Sequence, residues 1–167
     1  MQENSLFCYK GEKMRKIETT LVYLRDGDKI LLSLKKRGFA EGKLNGVGGK
    51  LKEGETIENT VIRETKEEID VDLIEYEKVG LIDFIEIYKG EKENVVMHVY
   101  IASKWEGEPK ESDEVKPVWV DISNMPYDQM MPDDKYWLPQ VLEGKKINAK
   151  FEFDENWELV NKLVEEL

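Results

Sequence analysis

The segment that most narrows what this chain can become is Gly48–Val71, GGKLKEGETIENTVIRETKEEIDV. It opens on glycines, crosses a short loop and continues as a run expected to be helical from about Thr56 to Ile69. At roughly 100° per residue, Glu64, Glu67 and Glu68 share one helix face. Val61, Ile62, Thr65 and Ile69 form a neighbouring stripe that can pack inward, and Lys66 belongs to neither stripe. Glu64 and Glu68 are a like-charge i,i+4 pair, which costs a few tenths of a kcal/mol. A hard cation bound by carboxylate oxygens turns that cost into a gain. The alternative for acids alone is a solvated helix face.

Composition limits the partners. The 167 residues suit one domain with a full core. With 37% charged residues and a net charge of −11, the chain reads as a globular protein with an acidic surface. It lacks the basic track that a nucleic-acid polymer requires. A single small phosphate ester remains compatible if a cation bridges it to the acids. Cys8 is the one cysteine, so no internal disulfide forms, in keeping with a cytoplasmic setting. No apolar run approaches a membrane span, and no secretory signal is visible. Residues 1–13 read as an N-terminal extension of undefined role and residues 14–167 as the domain. Oligomeric state is not legible.

Along the chain, Ile17–Arg25 reads as a strand, Asp26-Gly27 as a turn and Lys29–Leu34 as the returning strand of a hairpin. Lys35-Lys36-Arg37-Gly38-Phe39 follows, the densest basic spot in the chain. It is either a solvated strand end or a phosphate-facing rim. Leu44–Leu51 carries Gly46, Gly48 and Gly49, suited to close backbone approach. Val71–Ile87 is strand-rich with a bend expected at Gly80, and Asn94–Ala102 is a further strand. His98, the only histidine, alternates with apolar neighbours there and reads as a packed or half-exposed strand residue rather than a catalyst. Pro117–Ile122 is a short strand with Trp119 expected in the core. Asp133 or Asp134 is placed to N-cap a helix to about Leu142, closed by Gly144. Ile147–Phe153 alternates as a strand. In the tail, Val160, Leu163, Val164 and Leu167 stand at helical spacing.

Gly49, Glu55, Arg63-Glu64 and Glu67-Glu68 follow the order G-x5-E-x7-R-E-U-x-E-E-x-G-U, with U apolar. This resembles the Nudix box of the Nudix hydrolases, which cleave nucleoside diphosphates linked to another group. Two positions depart from it. Thr65 replaces an apolar residue but still offers a methyl group, and Asp70 stands where glycine ends the helix at positive φ. Every charged position is kept. KKRGF at Lys35–Phe39, NGVGGK at Asn45–Lys50, ESDE at Glu111–Glu114 and MPDDKYW at Met131–Trp137 are also similar, in order and spacing, to MutT-like oxidised-purine nucleoside triphosphate hydrolases. The resemblance spans about Ile17–Phe153.

That resemblance implies an α/β class fold, the Nudix α/β/α sandwich with a mixed sheet and a loop–helix–loop box. It also implies a tail that is a hairpin strand, against the helical spacing. It implies Glu64, Glu67, Glu68 and the Gly48 carbonyl as ligands of Mg²⁺ or Mn²⁺, with Glu114 at a further metal-site position. Arg63 orients the carboxylates, Glu55 is structural, and Glu68 or Glu114 activates water. The expected substrate contacts are Thr20, Lys35, Phe39, Asn45, Val47, Gly48, Gly49, Lys50, Met131, Asp133 and Asp134. Met131 departs from the stacking tryptophan of that group, which puts base preference in question. The expected reaction is hydrolysis of oxidised purine nucleoside triphosphates to monophosphate and pyrophosphate, clearing damaged nucleotides. Another nucleoside diphosphate derivative as substrate, or a non-catalytic nucleotide-binding domain, stay as alternatives.

Overall fold

The structure is a computed structural model that describes residues 14–167. The expectations for residues 1–13 and for Cys8 lie outside the described residues. The elements run β1 (Arg15–Asp26), β2 (Lys29–Lys35), β3 (Leu44–Asn45), α1 (Ile57–Ile69), β4 (Asp72–Tyr88) and β5 (Glu91–Glu106). They continue with β6 (Val115–Asp121), α2 (Asp134–Leu142), β7 (Ile147–Phe153) and β8 (Leu159–Glu166). The strands form one mixed sheet in the order β3-β2-β1-β5-β4-β7-β8, with β6 on β2. β1 is parallel to β5, and β4 is parallel to β7.

Strand alternation divides the core into two layers, because neighbouring residues point to opposite faces. Tyr23, Ile30 and Leu32 pack with Trp137, Leu138 and Val141 of α2. Val22, Leu24 and Leu31 pack with Val61 and Ile69 of α1. The result is the expected sandwich, with one helix on each face of the sheet.

The opening for a site lies between β1 and β2. The two strands share only the pairs Arg25↔Ile30 and Asp26↔Lys29, next to the turn. Beyond it β1 follows β5 and β2 follows β6, so the hairpin splays. The glycine-rich segment enters the gap. Ser33 pairs with Asn45, Val22 with Val47 and Thr19 with Lys50. A Cβ at Gly48 would lie 1.8 Å from the Thr20 carbonyl oxygen, so only glycine allows this approach.

Helix α1 starts where expected. The Thr56 hydroxyl accepts from the Asn59 amide at 3.1 Å. It ends at Asp70, which takes the left-handed conformation (φ 57°, ψ 42°) that the glycine of the box would supply. Asp70 stands there between Lys66 at 3.0 Å and Lys110 at 3.2 Å, interactions that glycine could not make. Thr65 is buried, and its hydroxyl is satisfied by the Val61 carbonyl at 2.7 Å. The bend at Gly80 is present as a register shift between Lys78 and Gly80.

Three expectations fail, and one open question is decided: the tail, helical by spacing alone and a hairpin strand by the resemblance, is a strand, pairing with β7 from Ile147↔Glu166 to Phe153↔Leu159. Val160 and Leu167 remain exposed, so the helical spacing had no apolar stripe to bury, and the open ladder of β7 decides the conformation. Ile62 is 43% exposed rather than packed inward. Trp119 is 39% exposed and lies against Trp105, with ring centroids 6.0 Å apart, instead of entering the core. Neither aspartate caps α2 through its side chain. Asp133 is already helical in conformation, and the Asp134 carboxylate instead accepts from the Met131 amide behind it at 3.0 Å. No helix among the described residues is long and apolar enough to cross a membrane.

Candidate active site

The acids of α1 are organised by one guanidinium. Arg63 donates from Nε and Nη2 to the two Glu55 oxygens at 2.6 and 2.9 Å. Its Nη1 reaches Glu64 Oε1 at 2.7 Å and Glu67 Oε2 at 3.2 Å, and Nη2 also meets the Lys50 carbonyl at 3.2 Å. This is the planar fork that arginine supplies and lysine cannot. Glu55 accepts further from the Lys52 amide and the Thr60 hydroxyl. Arg63 above all, then that amide, holds its pKa down at about 2. Arg63 therefore ties the loop to the helix and fixes Glu64. A Cβ at Gly49 would come within 2.4 Å of Glu64 Oε1, so the second box glycine makes room for this carboxylate.

Glu68 differs from its neighbours. It is buried, and burial first, then the charge of Glu64, pushes its pKa up to about 8. Lys35 opposes that rise, and Glu114 adds to it. Glu114 is engaged by Arg37, whose Nε donates to it at 2.9 Å, with Lys35 Nζ 4.0 Å away. The hydrogen bond from Arg37 is the main reason its pKa is lowered. The basic rim thus pairs with the acidic loop while Arg37 itself stays largely exposed.

The donors suit a hard divalent ion: carboxylates at i, i+3 and i+4, one of them buried with its charge uncompensated by a hydrogen-bonded cation. The carbonyls of Val47 and Gly49 bond the amides of Val22 and Thr20, which in an extended segment directs the Gly48 carbonyl away from β1. With Arg63 holding Glu64 and Glu67, no three carboxylates converge on one point among the described residues.

A second acid pair lies across the sheet. Asp133 and Asp134 are 3% and 2% exposed. Asp133 Oδ2 accepts from the indole of Trp137 at 2.9 Å. Burial raises the pKa of both, Asp133 to about 6, while Asp134, next to the Asp133 charge, rises well above it. The pair holds a proton at neutral pH: Asp134 donates and Asp133 accepts. Tyr23, buried nearby, reaches Asn45 Oδ1 from its hydroxyl at 3.4 Å. Burial and then the Asp134 charge push its pKa well up, and the same causes take Tyr127 up to about 12.

One cavity of about 700 Å³ joins the two acid clusters. Thr20, Lys35, Phe39, Asn45, Gly48, Gly49, Lys50, Met131, Asp133 and Asp134 all line it, together with Glu68. Val47 does not. Its side chain is buried in the layer under α1, and it serves the site by pairing with Val22. Glu64, Glu67, Arg63 and Glu114 stand behind or beside the wall rather than on it. Sequence reading did not find Tyr23, Tyr127 or Trp157. The tyrosines look like ordinary strand and loop aromatics, and Trp157 sits beyond the last motif.

The family model for the NUDIX domain matches residues 14–141. The chain belongs to the NUDIX family. Two oxidised purine nucleoside triphosphate hydrolases are similar to this NUDIX protein. The one from Danio rerio is 44% identical over 134 residues, covering 80% of this chain and 85% of the relative. The one from Mus musculus is 40% identical over 136 residues, covering 81% and 86%. Among solved structures, a MutT protein from Bacillus halodurans superposes with a TM-score of 0.78 at 26% identity, covering 89% of this chain and 97% of that one. Nudix hydrolases generally need divalent cations, in line with the oxygen-only donor set around Glu68.

Proposed function

We propose that this Nudix hydrolase cleaves oxidised purine nucleoside triphosphates to the monophosphate and pyrophosphate, with Mg²⁺ or Mn²⁺ held by Glu64, Glu67, Glu68 and the Gly48 carbonyl. The observation that carries this reading is the single cavity with a polyanion end and a purine end. Lys35 and Lys50 line it beside Glu68 and the glycine loop, where a triphosphate chain fits. Asn45 and the proton-holding Asp133–Asp134 pair line the other part, where a donor and an acceptor stand side by side. A purine oxidised at C8 or C2 changes its donor pattern at the ring edge, which such a pair distinguishes.

When bound, the cation neutralises the leaving diphosphate and lowers the pKa of its water. Arg63 keeps the carboxylates in register, and the glycine loop lets the phosphates approach the backbone. Glu68 lines the cavity and takes the proton of the attacking water. Glu114, occupied by Arg37 and Lys35, supports the rim instead. The test is a panel of 8-oxo-dGTP, 2-hydroxy-dATP, dGTP and dATP, scored for pyrophosphate released with Mg²⁺. The oxidised nucleotides should turn over faster. Equal rates for damaged and normal nucleotides defeat the substrate assignment.

A further inference from the structure

Three aromatic rings meet at one wall of the cavity. Trp157 lies 4.9 Å from Phe39 and 5.1 Å from Phe153, centroid to centroid, and all three line the cavity. Phe39 comes from the loop after β2, and Trp157 from the turn between β7 and β8. Phe39 is 64% exposed, so the indole rather than the phenyl ring is the sheltered face. The turn is held in an unusual way. Trp157 has φ 61°, a left-handed conformation that a bulky residue rarely adopts. Asp154 fixes it: its carboxylate accepts from the Asn156 and Glu158 amides at 2.9 and 3.0 Å, and its carbonyl accepts from Trp157 at 3.1 Å. A turn that served only to reverse the chain would favour glycine at that position. Here the conformation brings an indole back over the cavity.

Several polar side chains that line the same cavity are edge-readers. Asn45, Asp133 and Asp134 offer hydrogen bonds in the plane of a base, and Met131 offers a narrow thioether. Trp137 is fully buried with its indole nitrogen committed to Asp133. A flat face for the ring is missing from that set, and Trp157 supplies one.

We infer that Trp157 is the stacking platform for the purine base, a specificity-determining residue delivered by the β7–β8 turn. The inference rests on the nucleotide reading above and adds the residue that grips the ring. Base–aromatic stacking of this kind corresponds to about tenfold in affinity.

The test uses the full chain and its Trp157→Ala and Trp157→Phe variants, each checked by thermal unfolding. Two probes are titrated with Mg²⁺: a purine nucleoside triphosphate with a non-cleavable α,β bridge, and inorganic tripolyphosphate. Trp157→Ala should bind the nucleotide about tenfold more weakly and tripolyphosphate as well as the wild type does. Trp157→Phe should restore most of the affinity while losing the nucleotide-induced change in tryptophan emission. Unchanged nucleotide affinity in the Ala variant overturns the inference. So does an equal loss for both probes, which marks a merely structural ring. If the wild type binds purine nucleotides but cleaves no oxidised one faster than its normal counterpart, the proposed substrate fails while the comparison of variants still decides the role of Trp157.

Discussion

Two clusters of neighbouring carboxylates, three on α1 and two at the start of α2, meet the same electrostatic problem with different means. Around Glu64, Glu67 and Glu68 the protein supplies a guanidinium, and Arg63 satisfies Glu64 and Glu67 while leaving Glu68 buried and unmatched. Around Asp133 and Asp134 the described residues supply no cation, only an indole, an amide and a proton. In the proposed function the first cluster exchanges a proton for a metal ion and faces phosphates, whereas the second keeps its proton and reads a neutral, hydrogen-bonding base. Identical side-chain chemistry is assigned to opposite tasks by what surrounds it.

The comparison breaks most severely if the α1 acids are dispensable. Glu67→Gln and Glu68→Gln each remove a charge that the cation needs, and divalent-dependent pyrophosphate release should fall about a hundredfold or more. Far-ultraviolet circular dichroism should be unchanged, because glutamine keeps the volume. Full activity in either variant would withdraw the ligand set and, with it, the contrast between the clusters.

The two box glycines sharpen the first half of the contrast. At Gly48 a methyl group would run into the Thr20 backbone at 1.8 Å, and at Gly49 into the Glu64 carboxylate at 2.4 Å. Backbone cannot yield, whereas a carboxylate can swing aside. Gly48→Ala should therefore fail in thermal stability. Gly49→Ala should fold but lose about tenfold in turnover as Glu64 leaves its position on Arg63. Equal stability loss in both would show that Glu64 is as immovable as the strand.

Stability against pH tests the second half. The folded Asp133–Asp134 pair holds its protons more tightly than an unfolded aspartate with a pKa near 3.8. Between that value and the raised folded values the native state binds more protons, so stability falls as pH rises. The contribution is complete below about pH 4 and drains through about pH 6 and beyond. Asp134→Asn removes the need for the proton. Its stability should fall less than that of the wild type between pH 4 and pH 8, by an amount on the order of 1–3 kcal/mol, read from melting curves. Parallel melting curves would mean that the pair is not protonated when folded.

These contrasts were only partly legible in the chain. The box acids were visible because a helix turns spacing directly into direction, and because Arg63 stands next to Glu64 and one turn before Glu67. The split hairpin was not, since the letters of Ile17–Leu34 fit a continuous pair equally well; the parallel partner β5 that draws β1 away is 78 residues distant, Arg15 pairing with Glu93. Ile62 and Trp119 were misplaced because apolar character says a residue can be buried, not that a neighbour will cover it. The tail was open between helix and strand for a related reason. Its spacing satisfied a helix, but the open edge of β7 offered hydrogen bonds that the period could not reveal. Asp133 and Asp134 fitted a helix cap as well as a base contact, with only the resemblance favouring the contact, and their burial against Trp137 at the cavity shows why the letters alone could not choose.

The smallest effect is expected at His98, and its smallness carries information. His98 is the one imidazole, so it is the natural rival to Glu68 for moving a proton. Its two nitrogens are already engaged: Nδ1 is 2.7 Å from Lys78 Nζ, and Nε2 is 2.6 Å from Glu18 Oε2. An ammonium has no lone pair, so Nδ1 must accept and Nε2 must carry the hydrogen given to Glu18. That arrangement requires the neutral ring, and burial, aided by Lys78, lowers its pKa against the pull of Glu18. The sign is opposite to that of the aspartate pair. An unfolded histidine takes up a proton near pH 6.5 that the folded one resists, so this contribution is present above that pH and is lost as pH falls through the unfolded value and on through the lowered folded one. His98→Gln should leave kcat/KM within about twofold of wild type and should lessen the loss of stability on acidification. A tenfold loss of turnover would instead put an imidazole into the reaction. Glu68 would then be a ligand only, and the division of labour between the two carboxylate clusters would have to include a third group.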